Sequence, residues 1–170
     1  MQKELLDQLE TPCVVIDMAK AEENVIRMQA DADAAGCRLR PHIKTHKMPL
    51  FARMQLAHGA AGITCAKVSE AEVMADGGAD DIFIAYPMVG GFRIKRAVAL
   101  ILAVDSMECA VPLNEAAKAA GITLEVRLEV DTGAKRTGVQ RTKAAELAKE
   151  VHQLSNLNLT GIYTFKSLVY

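Results

Sequence analysis

Tryptophan is absent from this chain of 170 residues, and phenylalanine and tyrosine together supply only 4% of it. Any core must therefore be aliphatic, and a hydrophobic share of 51% is enough for one domain or an incomplete larger one. An excess of positive charge is missing too. The net charge is -1 and no long basic run occurs, so nucleic acid has no electrostatic footprint here. The cysteines at 13, 37, 65 and 109 form no CxxC pair and no tight cluster. That argues against a disulfide framework or a structural zinc site and for reduced, mostly buried thiols. The charged N-terminus lacks the apolar core of a signal peptide, and no apolar run reaches membrane-spanning length. The expectation is a soluble, cytoplasmic protein. Neither Gly77-Gly78 nor Gly90-Gly91 has phosphate-loop spacing, and both read as helix stops. Met28, Met48, Met54, Met74 and Met88 read as core filling, and Arg93, Lys95 and Arg96 as a solvated helix face.

What is present is an alternation of strand-like and helix-like runs, the pattern of a parallel sheet covered by helices. Residues 1–10 suggest a short helix or loose arm, and 13–16 a strand after the Thr11-Pro12 boundary. Asp17 can cap a helix ending at Gly36. Strands are expected at 37–44, 62–66, 82–86, 100–104, 122–130 and 159–165. Helices are expected at 48–58, from Ser69 with Glu72 completing a capping box, at 92–97, at 105–120 and at 142–154. The run 82–86 is almost wholly apolar, as a strand buried on both faces should be. About six strand–helix units follow the first strand, against the eight strands and ~250 residues of a closed barrel.

Two strands carry polar faces. In the first, Cys37, Leu39, Pro41 and Ile43 alternate with Arg38, Arg40, His42 and Lys44. In a barrel the second set faces the interior, with Lys44 at the C-terminal end, where barrel active sites lie. Pro41 argues against this strand, since it has no N–H for the ladder. In the second, Thr123, Glu125, Arg127, Glu129 and Asp131 share a face. Glu125, Glu129 and Asp131 are expected to neutralise Arg38, Arg40 and Lys44, because buried charges need partners.

Lys44 is the leading candidate for chemistry. A lysine facing a dry lumen near Arg40 loses its proton more easily, and a neutral amine can form a Schiff base with a carbonyl. The competing reading is a surface lysine paired with an acid. His42 and His46 flank it. Two histidines without a third ligand nearby fall short of a zinc site, and hydrogen-bonded pocket histidines are the alternative. The segment 131–138 is a glycine-bounded loop after a strong strand. Its Arg136 can donate to an anionic oxygen or stand exposed on a tight turn.

The run Arg40-Pro41-His42-Ile43-Lys44-Thr45-His46-Lys47, with Asp131-Thr132-Gly133 and Arg136-Thr137-Gly138, resembles the D-threonine aldolase and D-serine dehydratase group. That group is similar to the N-terminal domain of alanine racemases, the fold type III pyridoxal-phosphate enzymes. Thr11-Pro12, Tyr86-Pro87 and Val104-Asp105-Ser106 agree with it. The resemblance implies a TIM-like α/β barrel across residues 1–170, with about six of eight strand–helix units present and a C-terminal β domain absent. It implies Lys44 holding pyridoxal phosphate as an internal aldimine and Arg136 bonding the cofactor's phenolic oxygen. Phe165 falls where relatives place a ring against the pyridine, and His42 belongs to the same cofactor-binding set. The implied activity is a lyase acting on D-3-hydroxy amino acids, in a homodimer when full length. Any divalent metal would be bound by residues outside this chain. Relatives are roughly twice as long, so a truncated chain that binds the cofactor weakly is expected. Three other activities stay open: a non-catalytic fragment or cofactor-binding module, an amino-acid racemase, and a Schiff-base aldolase using Lys44 directly on a sugar phosphate.

Overall fold

The structure is a computed structural model that describes residues 8–90, 94 and 100–165. It begins with helix α1 (Met18–Ala34), capped by Asp17, whose carboxylate accepts from the Lys20 N–H at 3.1 Å. Then come an extended segment at 38–42, a 3-10 turn (Ile43–Thr45) and helix α2 (Pro49–Ala57), with Pro49 in its first turn. Strand β1 (Ile63–Cys65), helix α3 (Val68–Asp76) and strand β2 (Ile82–Pro87) make the next crossover. Strand β3 (Ile101–Val104) leads into helix α4 (Met107–Ala120), capped by Ser106 and closed by Gly121 at φ 67°. Strand β4 (Leu124–Asp131), the two-residue strand β5 (Val139–Gln140), a second 3-10 turn (Arg141–Lys143), helix α5 (Ala144–His152) and strand β6 (Leu157–Tyr163) follow.

All pairings are parallel. The order runs β1-β2-β3-β4, with β6 and the short β5 both on β4. The segment 38–42 extends the sheet beyond β1. His42 bridges Thr64, and the Ala61 and Thr64 N–H groups donate to the Leu39 and Pro41 carbonyls at 2.8 Å. With that segment the order matches the expected partial barrel, parallel strand–helix units laid side by side.

The core lies between the strands and the helices. Along β4, Leu124, Val126, Leu128 and Val130 are buried on the helix side. Leu102, Val104, Ile63, Ile84 and Val151 are wholly buried beside them, each contributing about 1.5–3 kcal/mol through removal from water. Asn114 of α4 crosses this layer. Its Oδ1 accepts from the Asn156 N–H at 3.0 Å, while the Leu124 N–H donates to the Asn156 carbonyl at 2.9 Å, setting β6 in register with β4.

Several expectations are corrected. Residues 13–16 form no strand, and Val14 is 91% exposed. Their apolar run has no neighbouring strand to pair with among the described residues. Residues 37–44 contribute one bridge rather than a full strand, because Pro41 cannot donate and the chain coils at Ile43. Helix α3 starts at Val68 with Lys67 as its cap, so Ser69 lies inside it, at the second helical position, and is not the cap. Glu70, at the third helical position, reaches back to accept from the Ala66 N–H at 2.9 Å. Cys65 and Cys109 are buried, but Cys13 and Cys37 are exposed. The helix expected at 92–97, apart from residue 94, and most of the arm at 1–10 lie outside the described residues.

Candidate active site

The C-terminal ends of the parallel strands open on a cavity of about 550 Å³. Arg40, His42 and Lys44 line one side, Thr64, Phe83 and Tyr86 the floor, and Arg136, Thr137, Tyr163 and Phe165 the far side. The inward row of the first polar segment therefore does face the site, while Leu39 and Pro41 turn toward Val25, Met28 and Gln55 of the helices.

Lys44 stands in the 3-10 turn, one step past the extended segment. The His42 Nδ1 accepts from the Lys44 N–H at 3.3 Å and caps that turn. Because Nδ1 is the acceptor, the proton of the neutral ring sits on Nε2. Burial, and then the Lys44 charge, hold His42 below the usual histidine range, opposed by Glu70. His46 does not join the site. Its Nδ1 accepts from the Met48 N–H at 3.1 Å and its ring lies edge-on to Phe51, with centroids 5.5 Å apart.

The Lys44 Nζ lies 5.8 Å from the centroid of the Phe165 ring, and the Arg136 guanidinium carbon lies 3.9 Å from the same centroid. The three sequence candidates thus meet at one aromatic ring. Both cations gain from its negative face. Arg136 is held out by its loop. The Asp131 Oδ1 accepts from the Gly133 and Lys135 N–H groups at 2.9 and 3.1 Å, which lowers that carboxyl below the usual range, and the Gly138 N–H donates to Asp105 Oδ2 at 3.1 Å. The Lys44 amine is exposed rather than enclosed in a dry lumen.

The charge pairing differs from expectation. Arg40 makes a two-pronged bond to Asp81, at 2.8 and 2.6 Å, so it is not the partner of the β4 acids. Glu125 accepts from Thr160 and faces Arg127 at 3.7 Å. Glu129, 2% exposed, accepts from Thr137 Oγ1 and from the Tyr163 hydroxyl, both at 2.7 Å. Tyr163 packs edge-on to Phe83 at 5.0 Å. Burial first, then the bond and charge of Glu129, push its phenol well above the usual tyrosine range. Glu129 is thus paired with two hydroxyls rather than with the expected cations, and Tyr163, which carries no sequence signal of its own, is one of them. Their pairing follows from the β4–β6 register, which sets Glu129 opposite Tyr163.

Residues 16–169 match the alanine racemase N-terminal domain. The chain belongs to that family. As a member of the alanine racemase N-terminal family it is 36% identical to the D-threonine aldolase of Arthrobacter sp, over 96% of this chain and 45% of the aldolase. It is 40% identical to the D-threo-3-hydroxyaspartate dehydratase of Delftia sp. (strain HT23), over 82% of this chain and 38% of the dehydratase. The solved D-threonine aldolase from Filomicrobium marinum superposes with a TM-score of 0.87 at 35% identity, covering 91% of this chain and 43% of that one. An alanine racemase of Clostridium difficile 630, at 20% identity and a TM-score of 0.74, shares the fold. The family chain described here thus spans less than half the length of these relatives. Among its described residues no group of three or more His, Cys, Asp or Glu could hold a metal ion, and no helix is long and apolar enough to cross a membrane.

Proposed function

We propose that this chain carries the cofactor lysine of a pyridoxal-phosphate-dependent lyase acting on D-3-hydroxy amino acids. The supporting observation is the convergence of Lys44 and Arg136 on the Phe165 ring at the strand ends. The donor set suits the group. Lys44 supplies a primary amine for its aldehyde carbon, Arg136 a guanidinium for its phenolic oxygen, and Phe165 a flat apolar face for its ring. His42 stands beside them, neutral above the range to which it is lowered, with its proton on Nε2. Pyridoxal phosphate, when bound, supplies an electron sink that lets a bond to the substrate α-carbon break. Around it the chain's residues orient and neutralise. Arg40 is held by its two-pronged bond to Asp81 and stays out of the cofactor set. Tyr163 is locked as a donor to Glu129 and does not serve as a base near neutrality.

The names of the relatives, an aldolase and a dehydratase of 3-hydroxy amino acids, support the substrate class. The test is the absorbance of the protein with added pyridoxal phosphate. A new band in the native chain, absent in Lys44→Ala, is expected; an identical spectrum in both would contradict the proposal.

A cofactor-binding module without turnover is the second reading. The open mouth favours it, since Lys44 and Arg136 are both exposed and water reaches the amine directly. Lys44-dependent binding with no loss of D-threonine or D-serine would select it.

A further inference from the structure

Strand β4 places Glu129 on its inward face, opposite Tyr163 of β6. The carboxylate is 2% exposed, yet the described residues offer it no cation within ion-pair distance. A buried carboxylate of this kind is held only by good hydrogen bonds. Glu129 has two short ones, one to the 131–138 loop and one to strand β6. Oε1 takes the hydroxyl of Thr137, the neighbour of Arg136, and Oε2 takes the hydroxyl of Tyr163. Gly138 completes the contact. A Cβ there would stand 2.7 Å from the Asp131 nitrogen and 3.2 Å from the Glu129 Cγ, so the returning loop lies flat on the strand it left.

We propose that Glu129 is a positioning residue for Arg136: its carboxylate clamps the 131–138 loop through Thr137 and braces it against Tyr163, so that the guanidinium is presented over Phe165. The consequence for cofactor binding rests on the function proposed above; the clamp itself does not. Arg136 is exposed and sits on a loop, so without the clamp its guanidinium would sample many positions and lose affinity to that freedom.

The experiment is a double-mutant cycle on pyridoxal phosphate affinity, read from the Lys44-dependent absorbance, with Glu129→Gln, Arg136→Ala and the double variant. Glu129→Gln keeps the shape and one acceptor but turns an N–H toward the Tyr163 oxygen. It should weaken binding about tenfold, in line with loss of a hydrogen bond to a charged group. In the Arg136→Ala background the same change should alter affinity less than about twofold. An equal effect in both backgrounds would mean a general structural role and overturn the proposal, as would no effect in either. Thr137→Val, which removes one donor at constant shape, should act in the same direction and serves if Glu129→Gln does not fold. If the native chain gives no Lys44-dependent band, the proposed function fails, and the clamp is judged by trypsin cleavage after Lys135 and Arg136. Faster cleavage in Glu129→Gln than in the native chain supports the clamp; equal rates refute it.

Discussion

At the scale of single residues, position 138 shows how narrowly the Arg136 loop is built. Gly138 has φ +98°, and a Cβ would meet backbone 2.7 Å away, which no rotamer change relieves. Gly138→Ala should cost about 2–3 kcal/mol, from the disfavoured backbone and the overlap together. Chemical denaturation of the two proteins measures it, and a difference below about 0.5 kcal/mol would show that the loop relaxes freely. Lys44 and Arg136 were legible from the sequence because each sits in a short run of unusual residues beside a strand. The partners of Arg40 and Glu129 were not legible. Alternation says which face a charge occupies but not which strand lies across from it. Arg40 sits at the β1 edge, near the start of β2, and so meets Asp81; β4 is further round the sheet. Tyr163 was hidden for a related reason. Its role appears only once the β4–β6 register is known, and that register depends on the Asn114–Asn156 bridge.

Among the elements, helix α3 reaches the segment after the lysine turn through Glu70. Glu70, 7% exposed at its third position, reaches back to accept from the Ala66 N–H and stands 3.6 Å from the Lys47 amine. The sequence offered Ser69 and Glu72 as the capping pair, two residues out of register, because a hydroxyl and a carboxylate at that spacing match the motif wherever they fall. Glu70→Ala should destabilise the fold by about 1–2 kcal/mol through the lost hydrogen bond to the Ala66 N–H. The Lys47 contact adds little, that side chain being 59% exposed. Thermal unfolding of Glu70→Ala and Lys47→Ala separates the two, and an equal loss in both would contradict this account. The buried strands were readable because their apolar runs have no other use. Residues 37–44 were not, since Pro41 withholds the N–H that would make them a full strand, yet their carbonyls still pair with β1.

For the whole molecule, stability should fall on both sides of neutrality. His42 and His46 are lowered by burial, so the fold favours their neutral forms. That stability is complete above the ordinary value of 6.5 and is lost as pH falls below it. On the alkaline side Cys65 is pushed up by burial to about 12, and Cys109 and Tyr163 are also raised, mainly by burial. Their protonated forms belong to the fold. The contribution is complete below the ordinary thiol value of 9.0 and fades as pH climbs from there. Tm against pH should show the alkaline decline, and Cys65→Ala should make it shallower; an unchanged slope would contradict the thiol's share. The partial barrel follows from the parallel order read off the alternating elements, with helices covering one face and a polar row on the other.

The central claim is that Lys44 is the amine that takes pyridoxal phosphate. Borohydride reduction of the protein with the cofactor, followed by peptide mass mapping, tests it most directly. The added mass is expected on Lys44, with Lys47 and Lys135 unmodified and no label in Lys44→Ala. Label spread over surface lysines, or persisting undiminished in Lys44→Ala, would contradict it.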